Sequence, residues 1–156
     1  MVKILLQRDN VDPNKPSQYG QTPLWLAALN GHVRVVKVLL RRDDIRPNKR
    51  DLHGLTPLSQ AASNGHERVV KVLLRRDINP DKPGLCKQTP LSLAARNGHR
   101  GVVKLLLGQD NVNPYLPDIT GQTPRLWAIR FGHEGVAKLL LKEEDPSRIK
   151  RRKLGW

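Results

Sequence analysis

The chain is poor in the residues that usually carry chemistry. One residue of its 156 is a cysteine, so neither an internal disulfide nor a cysteine-based zinc cage is available, which suits a reducing, intracellular compartment. Aromatic residues make up only 4%. A core must then come from Leu, Val and Ala, which fits thin regular layers better than one large globular centre. No apolar run approaches the ~20 residues of a membrane span. Met1 to Gln7 lacks the long apolar stretch and small-residue cleavage site of a secretory signal. There is no Gly-rich phosphate loop and no recognisable Ser/His/Asp set, so the expectation is a non-enzyme without cofactor or metal. Acidic residues are also few: 14 Asp and Glu against 28 Lys and Arg give a net charge of +14. That excess favours anionic partners, such as nucleic acid, an acidic protein or a membrane surface, and is silent about fold.

What the chain has is repetition. Thr22-Pro23-Leu24, Thr56-Pro57-Leu58 and Thr89-Pro90-Leu91 recur, with a worn fourth copy at Thr123-Pro124-Arg125; the threonines are 34, 33 and 34 residues apart. Self-similarity at that period marks a stacked-repeat architecture. Thr is a good N-cap, and Pro suits the first helical turn, where the N–H it lacks would have no partner. A short helix is therefore predicted from Pro23 to Leu29, ended by Asn30-Gly31. A second follows from Val33 to Arg42, with Val35, Val36, Val38, Leu39 and Leu40 on its apolar side and Arg34, Lys37 and Arg41 on its polar face. The Pro- and Asn-interrupted stretch from Asp43 to Asp51 reads as a loop.

Asn-Gly-His returns at 30–32, 64–66 and 97–99, becoming Phe131-Gly132-His133 in the last unit. The apolar second helix returns at 69–74, 102–107 and 136–141. These residues resemble the ankyrin repeat, Gly-x-Thr-Pro-Leu-His-x-Ala-Ala followed by Gly-His and Val-Val-x-Leu-Leu-Leu, from Val2 to Lys142. Insertions before the turn, as at Asn14-Lys15-Pro16, look like those of arrays common in filamentous fungi. The resemblance implies an all-α solenoid of stacked helix-turn-helix pairs with protruding turn or loop fingers. The units would be a partial repeat at 1–16, repeats at 17–50, 51–83, 84–117 and 118–145, and a basic tail at 146–156. Several positions depart from the pattern. Lys87 replaces the turn Gly of the third finger, so that tip is expected to be strained or reshaped. Arg125 and Gln60 stand where core Leu is usual, and the family's His after Thr-Pro-Leu is Trp25, Ser59, Ser92 and Leu126.

The ends carry expectations of their own. Val2 to Leu6 matches a second helix without its first, which leaves an open apolar edge capable of self-association and suggests a piece of a longer array; a natural half-repeat cap is the alternative. The tail holds Arg148, Lys150, Arg151, Arg152 and Lys153 around Ile149, Leu154 and Trp156. It is either a disordered basic tail or a cap over the last helix pair, and its basic cluster also allows a nuclear-import signal.

His32, His66, His99 and His133 cannot share one metal ion, because stacked helices lie about 8–10 Å apart and zinc–nitrogen bonds are about 2.0–2.1 Å; a structural hydrogen bond at the start of each second helix is expected. Cys86 sits beside Lys87 in a finger and is read as an exposed or half-packed thiol rather than a reactive one. Arg34, Lys37, Arg41, Arg68, Lys71 and Arg75 align as a basic stripe on the second helices. It is either a solvated face that complements helix dipoles or a dock for nucleic acid, acidic lipid or an acidic protein segment.

The resemblance also implies a partner surface on the concave side, where a protein partner of unknown identity would sit. By position, the finger tips contribute Gln18, Tyr19, Gln21, Leu52, His53, Leu55, Leu85, Cys86, Gln88, Ile119, Thr120 and Gln122. The first helices contribute Trp25, Leu29, Asn30, Ser63, Asn64, Arg96, Asn97, Arg130 and Phe131. Trp127 falls at a core position.

Overall fold

The computed structural model describes residues 12–76 and 78–142. Residues 1–11 of the proposed N-terminal half-repeat, with its open edge, and the basic tail lie outside these residues. Among the described residues there are eight helices and no strands. In chain order they are α1 (Pro23–Leu29), α2 (Val33–Leu39), α3 (Pro57–Ser63), α4 (Glu67–Leu73), α5 (Pro90–Arg96), α6 (Arg100–Leu107), α7 (Pro124–Arg130) and α8 (Glu134–Leu141).

The start of each first helix is built as the sequence dictates. The hydroxyls of Thr22, Thr56, Thr89 and Thr123 accept the N–H three residues on, at 3.2, 3.1, 3.1 and 3.3 Å. Pro follows each Thr in the first turn. The expected second helix from Val33 to Arg42 is shorter than its apolar pattern: α2 stops at Leu39. Arg41 and Arg42 bond back to Val38 and Leu39, three residues earlier, which tightens the last turn and turns the chain into the loop.

Helices this short are not stable alone; stacking supplies what propensity cannot. The first helices contact one another in the order α1, α3, α5, α7, and the second helices in the order α2, α4, α6, α8. Leu24, Leu58 and Leu91 fill equivalent buried positions, with the pairs Ala27–Ala28, Ala61–Ala62 and Ala94–Ala95 beside them. The alanines let neighbouring first helices approach closely. Val36, Val70, Val103 and Val136 and Leu39, Leu73, Leu106 and Leu140 form the matching layer from the second helices. Gln60 and Arg125 are both half-buried, so each substitution places a polar head at the margin of a layer.

Polar ties run between layers as well. The rings of His66, His99 and His133 donate from Nε2 to the carbonyls of Leu29, Ser63 and Arg96, at 2.8, 2.9 and 3.0 Å. These histidines occupy N-cap positions but make no side-chain bond to their own helices. Each reaches back one layer instead and satisfies a carbonyl at the end of the preceding first helix. Gly65 shows what this requires: its φ is +72°, and a Cβ there would lie 2.6 Å from Nδ1 of His99.

Candidate partner-binding face

Between the helix pairs, four short turns form the fingers. Each closes with the same two main-chain bonds. Gly20 N–H donates to Ser17 and Ser17 N–H to Gln21; the pairs Gly54–Asp51 with Asp51–Leu55, Lys87–Gly84 with Gly84–Gln88, and Gly121–Asp118 with Asp118–Gln122 repeat this at 2.9–3.0 Å. Lys87 does not reshape its finger. It takes the left-handed conformation at φ +56° that glycine occupies elsewhere, so the turn is kept at a steric cost of about 1–2 kcal/mol.

The fingers are clasped to one another through the backbone. Leu52 N–H donates to Tyr19, Leu85 N–H to His53, and Ile119 N–H to Cys86, at 3.1, 3.2 and 3.1 Å. The side chains at the tips are thereby left outward: Gln18, Tyr19, Leu52, His53, Leu85, Cys86, Ile119 and Thr120 are exposed, while Gln21, Leu55, Gln88 and Gln122 are half-buried at the bases. On the first helices, Asn30, Asn64, Arg130 and Phe131 are exposed, and Leu29, Ser63 and Arg96 are half-buried. Asn30 and Asn64 spend their amides on carbonyls of their own helices, Leu26 and Gln60. Asn97 bonds Ser63 in the preceding layer.

Trp25 is not part of this surface. It is 4% exposed, and its indole N–H donates to the carbonyl of Leu55 at 3.2 Å. The ring packs between layers and fastens α1 to the next finger. A large aromatic at that position gains more from burial than from solvent contact.

The last two layers hold a cluster that composition alone does not disclose. Trp127 is 9% exposed and donates its indole N–H to Asp118 Oδ2 at 2.8 Å. Its ring lies 5.7 Å from that of Phe131, which is 47% exposed. The Arg96 guanidinium sits 5.0 Å from the Trp127 ring centre and 5.3 Å from that of Phe131, and Arg130 sits 5.5 Å from Trp127. Such stacking is a specific cation–π arrangement. Arg96 and Phe131 were separately legible as surface residues. Their union with Trp127 across 31 and 35 residues was not, although a Trp and a Phe one turn apart, with Arg in the preceding unit, is the pattern that signals it.

Asp118 anchors the base of the fourth finger. Burial pushes its carboxyl upward, but bonds from the Thr120 hydroxyl and N–H, the Gln122 N–H and the Trp127 indole outweigh that and bring it down to about 2. Asp51 serves the second finger with two bonds, from the N–H groups of His53 and Leu55. Gly84 offers no such side chain to the third.

On the opposite, second-helix side, Arg34, Lys37, Arg41, Arg68, Lys71 and Arg75 are all exposed. Lys37, Arg41, Arg75 and Arg76 line a shallow groove together with Asp43, and Arg76 donates to the Leu40 carbonyl. Among the described residues no group of three His, Cys, Asp or Glu side chains is placed to hold a metal ion. None of the described helices is long and apolar enough to cross a membrane.

The repeated helix pairs, clasped fingers and layer-spanning histidines agree with the comparison of the sequence against family models. Ankyrin repeats match over residues 1–83 and 76–150. The chain therefore belongs to the ankyrin repeat family, and its all-α stack is an ankyrin solenoid. No curated protein matches it. Ankyrin repeats are generally protein–protein interaction modules, and the family is generally non-catalytic.

Proposed function

We propose that the chain is a non-catalytic, intracellular recognition scaffold that holds a protein partner against its finger tips and the exposed side of its first helices, the concave face of an ankyrin array. One observation carries this reading. The four fingers are closed and clasped by main-chain bonds, yet each presents an apolar side chain to solvent: Tyr19, Leu52, Leu85 and Ile119. These side chains add nothing to the core. A row of exposed apolar groups on a rigid frame is what a binding surface needs, since little conformational entropy is lost when the partner docks. A stable complex would bury roughly 1,200–2,000 Å² in total.

The test is capture of protein partners at two salt concentrations, with Tyr19→Ala/Phe131→Ala as the comparison. The expected complex persists at about 0.5 M salt, where exposed charge pairs are screened within a few Å, and is lost with the double substitution. A second reading rests on the exposed cations of α2 and α4, which would dock nucleic acid, acidic lipid or an acidic protein segment. A complex that dissolves in high salt and survives the double substitution would favour it over the first.

A further inference from the structure

We propose that Arg96, Trp127, Arg130 and Phe131 form a carboxylate-recognition subsite, which takes an Asp or Glu side chain of the partner segment bound on the concave face. The inference rests on the reading above and names the chemistry of one point on that surface. A guanidinium stacked on an aromatic ring uses its flat face, and its in-plane N–H donors remain free for a bidentate acceptor. The Arg96 guanidinium lies over two rings and that of Arg130 over one, with both within 5.5 Å of the Trp127 ring centre. Neither forms an ion pair or a side-chain hydrogen bond with any described residue. The carboxylate in contact with the cluster, Asp118, is engaged by Thr120, Gln122 and the Trp127 indole rather than by the arginines.

The cluster is not something the scaffold requires. In place of Arg130 the first two layers carry Leu29 and Ser63, and in place of Phe131 they carry Asn30 and Asn64, whose amides are spent on their own helices. A pair of cations beside the exposed ring of Phe131 suits an acidic residue flanked by an apolar one. It does not suit a nucleic-acid backbone, which needs a run of phosphate contacts.

The experiment is selection of short random displayed peptides on the wild-type chain, followed by affinities of synthetic versions. Selected peptides are expected to share an Asp or Glu beside an apolar residue. Arg96→Gln/Arg130→Gln should weaken them about tenfold or more, a step of one power of ten in Kd. Changing the peptide's acid to its amide should cost the same and add nothing on the double variant, the signature of direct coupling. Arg96→Lys, which keeps the charge but not the planar fork, should rescue only in part. An unchanged circular dichroism melt shows that the variants remain folded, and Arg130→Gln alone, at an exposed position, gives the same test if the double variant does not. Peptides without an acidic residue, or bound equally by the variants, overturn the subsite while leaving the concave reading intact when Tyr19→Ala still abolishes them. Peptides indifferent to both sets of substitutions overturn both. A single-stranded oligouridylate that binds and loses the same factor on Arg96→Gln/Arg130→Gln also overturns the proposal, because it gives the arginines to phosphate.

Discussion

The first two layers and the last two share one backbone plan but place positive charge on opposite faces. On α2 and α4 and just after them, Arg34, Lys37, Arg41, Arg68, Lys71 and Arg75 make the second-helix side cationic, while Leu29 and Ser63 leave the first-helix side neutral. Further along, Gly101, Gly108 and Gly135 thin the outer stripe to Lys104, Lys138 and Lys142, and Arg96 and Arg130 appear on the inner side. The aromatic residues differ in the same sense. Trp25 disappears between layers and ties α1 to a neighbouring finger, whereas Trp127 underlies a surface cluster with Phe131 and two arginines. Periodic burial fixes the stack, and the residues outside it are free to make each half a different surface.

The sharpest way to break this contrast is to remove the two tryptophans separately. Trp127→Ala should destabilise the chain by about 4–5 kcal/mol, near the top of the range for a buried aromatic, because it also strips Asp118 of a hydrogen bond and two guanidinium groups of their platform. Trp25→Ala should cost about 3–4 kcal/mol, since its polar loss is one bond to a carbonyl. Urea unfolding of both variants measures the difference, and equal losses would mean that the terminal cluster contributes nothing beyond packing.

A smaller effect separates the second and fourth fingers. Asp118→Asn should cost about 2 kcal/mol, through bonds that a carboxylate accepts more strongly than an amide, and Asp51→Asn should cost less because fewer donors converge there. The effect has a pH signature. The folded carboxyl of Asp118 titrates at about 2, below its ordinary value of 3.8. Its stabilisation is therefore complete above about pH 4 and is lost as pH falls towards about 2. Unfolding midpoints measured across that window should fall in the wild type and fall less in Asp118→Asn.

Smallest is the third finger, which has neither the side-chain acceptor nor the glycine of its neighbours. Lys87→Gly should stabilise the chain by up to about 1 kcal/mol by relieving the left-handed strain. Gly54→Lys, which imports that strain into the second finger, should destabilise it by a similar amount or more. A thermal melt of each variant distinguishes the two outcomes.

The stack itself was legible because its causes are local and repeated. Thr-Pro marks each first helix, the apolar period marks each second, and four registered copies leave little freedom. What escaped the reading lies between repeats. The histidines were expected to act at the start of their own helices, but the preceding helix end offers unsatisfied carbonyls at closer reach. Trp25 stands where the family usually has a smaller polar ring, so position alone suggested a surface residue; the space beneath the next finger accepts the indole. The Arg–Trp–Phe cluster joins residues from two units, and a pattern read one unit at a time does not bring them together.

The backbone clasps between fingers have an evolutionary consequence. Because neighbouring tips are joined by amide and carbonyl groups that every residue type except proline supplies, the identity of Leu52, Leu85 or Ile119 is almost irrelevant to whether the array holds. Mutation can sample new tips without first having to rescue the fold. Partner choice in such a molecule is able to drift quickly while its architecture stays still.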